Sequence, residues 1–162
     1  MIMKKFQILL MMLAAMFFTA ANVSAQEYQQ DDLLGIWLNE DEDAHIEIYK
    51  EGNTYAGKII WLEEPVYPAD DDGGMAGKEK VDRENPDEGL RDRPIQGLEL
   101  MSGFVSSGGG KWKKGTIYAP DEGKTYKCKL SLNDDGTLKV RGYIGISLLG
   151  RNELWTPVPA KD

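Results

Sequence analysis

From Leu33 onward, apolar residues recur at every second position, and turns built on glycine, asparagine and aspartate interrupt them at short intervals. A period of two is the signature of a strand with one buried and one solvated face. Strands this short, with tight turns between them, pair antiparallel with their neighbours. Ala44 to Lys50 carries Ala44, Ile46 and Ile48 on one face, Glu51-Gly52-Asn53 turns the chain, and Tyr55 to Leu62 returns as the second arm of a hairpin. The same pattern predicts strands over Leu34–Leu38, Gly97–Val105, Trp112–Tyr118, Thr125–Leu132, Leu138–Ile144 and Asn152–Val158. The last strands are joined by Pro120-Asp121-Glu122-Gly123 and Asn133-Asp134-Asp135-Gly136, both tight-turn sequences. No stretch holds a helical period. About eight such strands in one small domain predict an all-β protein, a closed barrel or a sandwich; closure removes the sticky edges, and a single closed or nearly closed antiparallel barrel is the favoured reading.

The first residues read as a targeting segment. Lys4 and Lys5 precede an apolar run from Phe6 to Phe18, shorter than the ~20 residues a membrane helix needs. Val23-Ser24-Ala25 then supplies small residues for cleavage after Ala25. This predicts export to the periplasm or the medium, with a domain over residues 26–162 that does not span the membrane. Removing the first 25 of 162 residues leaves 137, enough for one core, and moves the formal charge from −8 to −10. Such an acidic surface repels phosphate backbones and argues against nucleic acid as a partner.

One segment breaks the strand pattern. Asp82 to Pro94, DRENPDEGLRDRP, sets three arginines and two prolines among acids. Asn85 is suited to cap a helical turn, Pro86 to be its first residue, Glu88 to reach back to the cap, and Gly89 to end it. Arg91 and Arg93 lie two apart, and Arg93 is biased to extended backbone by Pro94. Their guanidinium groups suit a carboxylate, whether from Asp82, Asp87 or a ligand. The reading favoured here is a structural clamp that closes one barrel end, with Arg91 or Arg93 paired back onto Asp82 or Asp87.

This run, with Leu90-Arg91, Arg93-Pro94 and Gly97-Leu98, resembles the signature of the bacterial domain-of-unknown-function family numbered 2147. So do Trp112, Gly115, Ile117-Tyr118, Gly123-Lys124-Thr125-Tyr126, Arg141-Gly142-Tyr143, Leu149-Gly150-Arg151 and Trp155. The resemblance covers Leu33 to Val158 and implies an exported protein with a lipocalin-like, calycin-type barrel. It implies no activity. The acidic Asp70-Asp71-Asp72 and the adjoining Gly73-Gly74 depart from it. Gly35-Ile36-Trp37 is similar to the Gly-x-Trp of lipocalin-like barrels. That likeness implies a tryptophan plugging the closed end with an arginine across it, and Arg151 is the candidate for the arginine.

The other candidates read as follows. Cys128 shares a strand face with Tyr126, Leu130 and Leu132, and as a lone cysteine reads as a buried apolar side chain. His45 alternates outward and has no second histidine or cysteine pair to make a metal site. Trp61, Tyr118, Tyr126, Tyr143 and Trp155 either line a ligand cavity or fill the core, and strand spacing favours filling. Asp70-Asp71-Asp72 lacks the alternate spacing of a calcium loop and reads as a solvated, mobile acidic segment. Gly108-Gly109-Gly110 reads as a flexible loop. No cofactor motif and no catalytic constellation is legible. The expected function is therefore noncatalytic binding of a small apolar or amphipathic molecule, the alternative being an envelope interaction protein that docks through residues 82–94. An enzyme of unknown class is the weaker third reading.

Overall fold

In the computed structural model, described over residues 27–159, eight antiparallel strands close into one barrel in chain order. They are β1 (Gly35–Leu38), β2 (Ala44–Glu51), β3 (Thr54–Leu62), β4 (Glu99–Gly108), β5 (Lys111–Ala119), β6 (Lys124–Leu132), β7 (Leu138–Tyr143) and β8 (Arg151–Pro157). Closure comes from β8 meeting β1, with Trp37 opposite Pro157 and Leu38 opposite Thr156. The targeting segment and its cleavage point after Ala25 lie outside the described residues. Among the described residues no helix is long and apolar enough to cross a membrane.

The period of two does what the sequence predicts. Ala44, Ile46 and Ile48 are buried inside the barrel, while Glu47 and Lys58 pair across the outer face at 3.0 Å. Leu130, Leu138, Val140 and Trp155 fill the same interior from the other wall. Phe104 lies over Gly115 so closely that a β-carbon there would stand 2.4 Å from the ring. Gly115 therefore makes room for an aromatic residue of the neighbouring strand. The glycine run Gly108-Gly109-Gly110 joins β4 to β5. All three hold positive φ, a conformation that only glycine takes without strain.

In an up-and-down barrel, alternate connections fall at opposite ends. One end carries the three short hairpins β2–β3, β4–β5 and β6–β7, and the segment before β1 covers it. Leu33 there is fully buried, Trp37 Nε1 donates to Leu33 O at 3.1 Å, and Trp112 Nε1 donates to Gln30 O at 3.1 Å. Tyr55 Oη reaches Asp31, and Tyr28 Oη reaches Asp134 at 2.7 Å. The opposite end carries the β1–β2, β3–β4, β5–β6 and β7–β8 connections. The third of these is a tight turn, and the second runs for 36 residues between Leu62 and Glu99.

Arg151 therefore cannot lie across Trp37. It opens β8 opposite Gly142, while Trp37 pairs near that strand's far end, at Pro157. Arg141 instead ties down carbonyls of the neighbouring loop. It donates to Ser147 O from Nε and Nη2 and to Leu148 O from Nη2, and so fastens the β7–β8 connection, where a second 3-10 turn spans Ser147–Leu149.

Candidate functional site

The two barrel ends are built differently, and the site sits at the loop-bearing one. Below its mouth lies a cavity of about 790 Å³. Ile46, Ile59, Leu100, Ile117, Val140 and Trp155 make its apolar lining, and Tyr126 joins them higher up. Filling a lumen needs large side chains to meet across it. Here β2 and β7 present the small residues Ala44 and Gly142 to the lumen near the mouth, and the space stays open. The expectation of a filled core thus holds at the covered end and fails at the other.

Four of the five aromatic residues singled out in the sequence line the cavity. Trp155 is buried at its base and donates from Nε1 to Glu153 Oε2 at 3.0 Å. Tyr126 Oη donates to Glu122 Oε2 at 2.6 Å, which raises the phenol's pKa and lowers that of the carboxyl. Tyr118 contributes at the wall. Tyr143 touches the rim, with the Lys129 ammonium 5.3 Å from its ring centroid. Trp61 lies elsewhere, on the outer face of β3 against His45, with ring centroids 4.5 Å apart. A bulge between His45 and Ile46 shifts the pairing there.

The long β3–β4 connection lies over the mouth as a strap. Tyr67, Lys80, Val81, Arg83 and Glu84 face the cavity. Between them Asp82 turns the other way and is completely buried. Its carboxylate accepts from Arg93 Nε at 2.8 Å, from Asn85 Nδ2 at 2.7 Å and from Tyr118 Oη at 2.7 Å, and Arg93 Nη2 stands 2.7 Å away as the other arm of the ion pair. Burial, and then the bond to Asp82, raises the Tyr118 pKa. The Arg93 guanidinium also stands 5.5 Å from the Tyr118 ring centroid, and its carbonyl accepts from the Asp82 amide. One buried acid thus gathers an arginine eleven residues on and a tyrosine from β5 into a fastening for the strap. Arg91 takes a separate place, donating to Asn85 O at 2.8 Å and standing 3.6 Å from the exposed Glu88.

The helical turn is a single 3-10 turn over Glu88–Leu90, and its cap is Asp87, not Asn85. The Asn85 amide group is already spent on Asp82 and Tyr118, and its side-chain oxygen accepts from the Asp87 amide. Asp87 is left to receive Gly89 N. Within the acidic stretch Asp70 and Asp72 are exposed as expected, and Asp71 is anchored. Asp71 accepts from Arg83 Nη1 at 2.7 Å and from Met75 N at 3.0 Å, and the arginine holds its carboxyl below the usual range. Arg83 in turn lies 4.5 Å from the Tyr67 ring centroid. At Gly123 in the β5–β6 turn, a β-carbon would meet Glu84 O at 1.9 Å, so the strap seats directly on that turn. Cys128 is fully buried on β6, and burial pushes its thiol up to about 12.

Sequence reasoning missed Glu153 and the strap residues Tyr67, Lys80 and Arg83. The one available signal for Glu153 was its parity: it shares the inward phase of β8 with Trp155. Among the described residues no group of three or more histidine, cysteine or carboxylate side chains is placed to hold a metal ion.

With this geometry in hand, the comparisons are specific about fold and silent about chemistry. The family described as uncharacterized proteins conserved in bacteria (DUF2147) matches residues 35–157, and the chain belongs to it. A comparison with curated proteins found no match. The chain is similar to a solved structure of HP1028 from the human pathogen Helicobacter pylori, described as belonging to the lipocalin family. The two share 23% identity with a TM-score of 0.64, over 78% of this chain and 83% of that one. At that identity the likeness speaks for the fold alone, a lipocalin-like barrel.

Proposed function

We propose that this member of the DUF2147 family is exported and binds one small amphipathic molecule in the mouth of its barrel, without catalysis. The observation that carries the reading is the cavity: about 790 Å³, apolar below and charged at the rim, closed beneath by packed core. Its volume falls within the ~300–1,000 Å³ of ordinary ligand sites. An apolar tail gains ~25 cal/mol per Å² buried against Ile46, Val140 and Trp155, and a polar head stays among the charges of the rim. The strap over the mouth supports occupancy by something worth retaining. Arg93 and Arg91, the arginines that suggested docking, are held within the segment by Asp82 and by Asn85 O, which favours this reading over a docking loop.

The test is displacement of the neutral fluorescent probe N-phenylnaphthylamine from the purified domain by dodecanol, compared between wild type and Val140→Trp. Val140 is buried and lines the cavity. The bulky variant is expected to weaken both ligands by about tenfold or more while the fold still melts cooperatively. Equal binding by the two proteins would place the ligand elsewhere and end the proposal. Export is tested separately, by locating the tagged full chain in periplasmic, secreted and cytoplasmic fractions.

A further inference from the structure

The charges around the cavity are unbalanced, and the imbalance selects a sign for the ligand. Six acids line it, namely Asp41, Asp43, Glu84, Asp121, Glu122 and Glu153, against three bases, Lys80, Arg83 and Arg151. Two of those bases also pair with acids that are not part of the lining. Lys80 stands 3.5 Å from Glu64, and Arg83 stands 2.7 Å from Asp71. In return, Lys124 from outside the lining meets Glu122 at 3.4 Å. The cavity therefore carries an excess of negative charge over low-dielectric apolar walls, an arrangement that focuses field and concentrates cations.

Glu153 is the sharpest element. It projects from β8 into the cavity, half-buried, between Arg151 at the rim and Trp155 at the base. Its hydrogen-bond partner is the neutral Trp155 indole N–H. Among the described residues no lysine or arginine stands within ion-pair distance of it, whereas Glu47 on the outer face of β2 and Glu122 at the rim each meet a lysine. A half-buried carboxylate above a tryptophan and apolar walls is a seat for an ammonium with a hydrocarbon tail: the charge meets Glu153 and the tail lies against Trp155, Val140 and Ile46.

We infer that the ligand class is a cationic amphiphile, a long-chain amine or its equivalent, with Glu153 as the residue that recognises the charged head. This rests on the cavity-binding reading above and adds the sign of the ligand to it.

The experiment uses three probes of equal chain length, dodecylammonium, dodecanol and dodecanoate. Each competes against N-phenylnaphthylamine below its micelle-forming concentration, at low and high salt. Dodecylammonium is expected to bind about tenfold or more tighter than dodecanoate, with dodecanol between them, and the gap should shrink as salt rises. Glu153→Gln should bring the charged probes within about threefold of each other while dodecanol is unchanged. Arg151→Gln should widen the gap, which gives a second reading independent of how Glu153→Gln folds. Dodecanoate binding as well as or better than dodecylammonium would overturn the charge assignment while leaving the cavity reading intact, as would a gap that Arg151→Gln narrows. Failure of all three probes to compete would overturn both.

Discussion

Removing the Arg93 side chain should unseat the strap. In Arg93→Ala the buried Asp82 carboxylate loses its ion-pair partner and one of its three hydrogen-bond donors, Nε at 2.8 Å, and keeps Asn85 Nδ2 and Tyr118 Oη. Breaking a fully buried ion pair by deleting one partner costs ~3–5 kcal/mol. The Arg93 side chain is 36% exposed, so water can enter the gap it leaves and the lower part of that range applies. The loss of the guanidinium beside the Tyr118 ring adds ~0.5–1 kcal/mol. The expected cost is ~3 kcal/mol, a fall in melting temperature of about 10 °C for a domain of this size. Asn85→Ala should cost ~1–2 kcal/mol, since Asp82 keeps its cation but loses a donor, and the Asp87 amide loses its acceptor. Arg91→Ala should cost ~0–1 kcal/mol, because its guanidinium is exposed and its acid partner more so. The assay is urea and thermal unfolding of the three variants beside wild type. The ranking Arg93, Asn85, Arg91 carries the prediction. It fails if Arg93→Ala melts like wild type or if Arg91→Ala costs as much, and if all three melt normally while ligand binding disappears, the segment is a binding site and not a fastening.

Two further outcomes are expected. Asp71 ionises more easily than a free aspartate because of Arg83, so its contribution is present above the unfolded value of about 3.8 and is lost as pH falls below it through the lowered folded value. Stability followed by acid titration should thus lose an Arg83-dependent part only in that low window, and Asp71→Asn should lose it already at neutral pH. The single thiol, Cys128, with its pKa pushed up to about 12 by burial, should resist a disulfide reagent at mildly alkaline pH and react with it stoichiometrically in denaturant. Rapid labelling of the native protein would mean that the barrel opens far more often than its packing allows.

How much of this was legible beforehand depends on the range of the interaction involved. Period-two alternation and turn residues are local, so strand number, antiparallel order and the burial of Cys128 could be read along the chain, whereas that pattern alone left a closed barrel and a sandwich open, because closure depends on β8 meeting β1. The helical turn near Pro86 is local too, yet its cap moved from Asn85 to Asp87, because Asn85 was claimed by Asp82 and by Tyr118, 33 residues away. Trp37 and Arg151 are both barrel residues, but strand register sets them toward opposite ends, and register is a property of eight paired strands together. Trp61 and Trp155 are alike as letters, and a bulge beside Ile46 helps decide that one stacks on His45 outside. Whether the lumen was filled could not be read from any one strand. It follows from small residues, Ala44 on β2 and Gly142 on β7, both lining the lumen while large side chains pack together in the core, an arrangement that exists only once the barrel has closed.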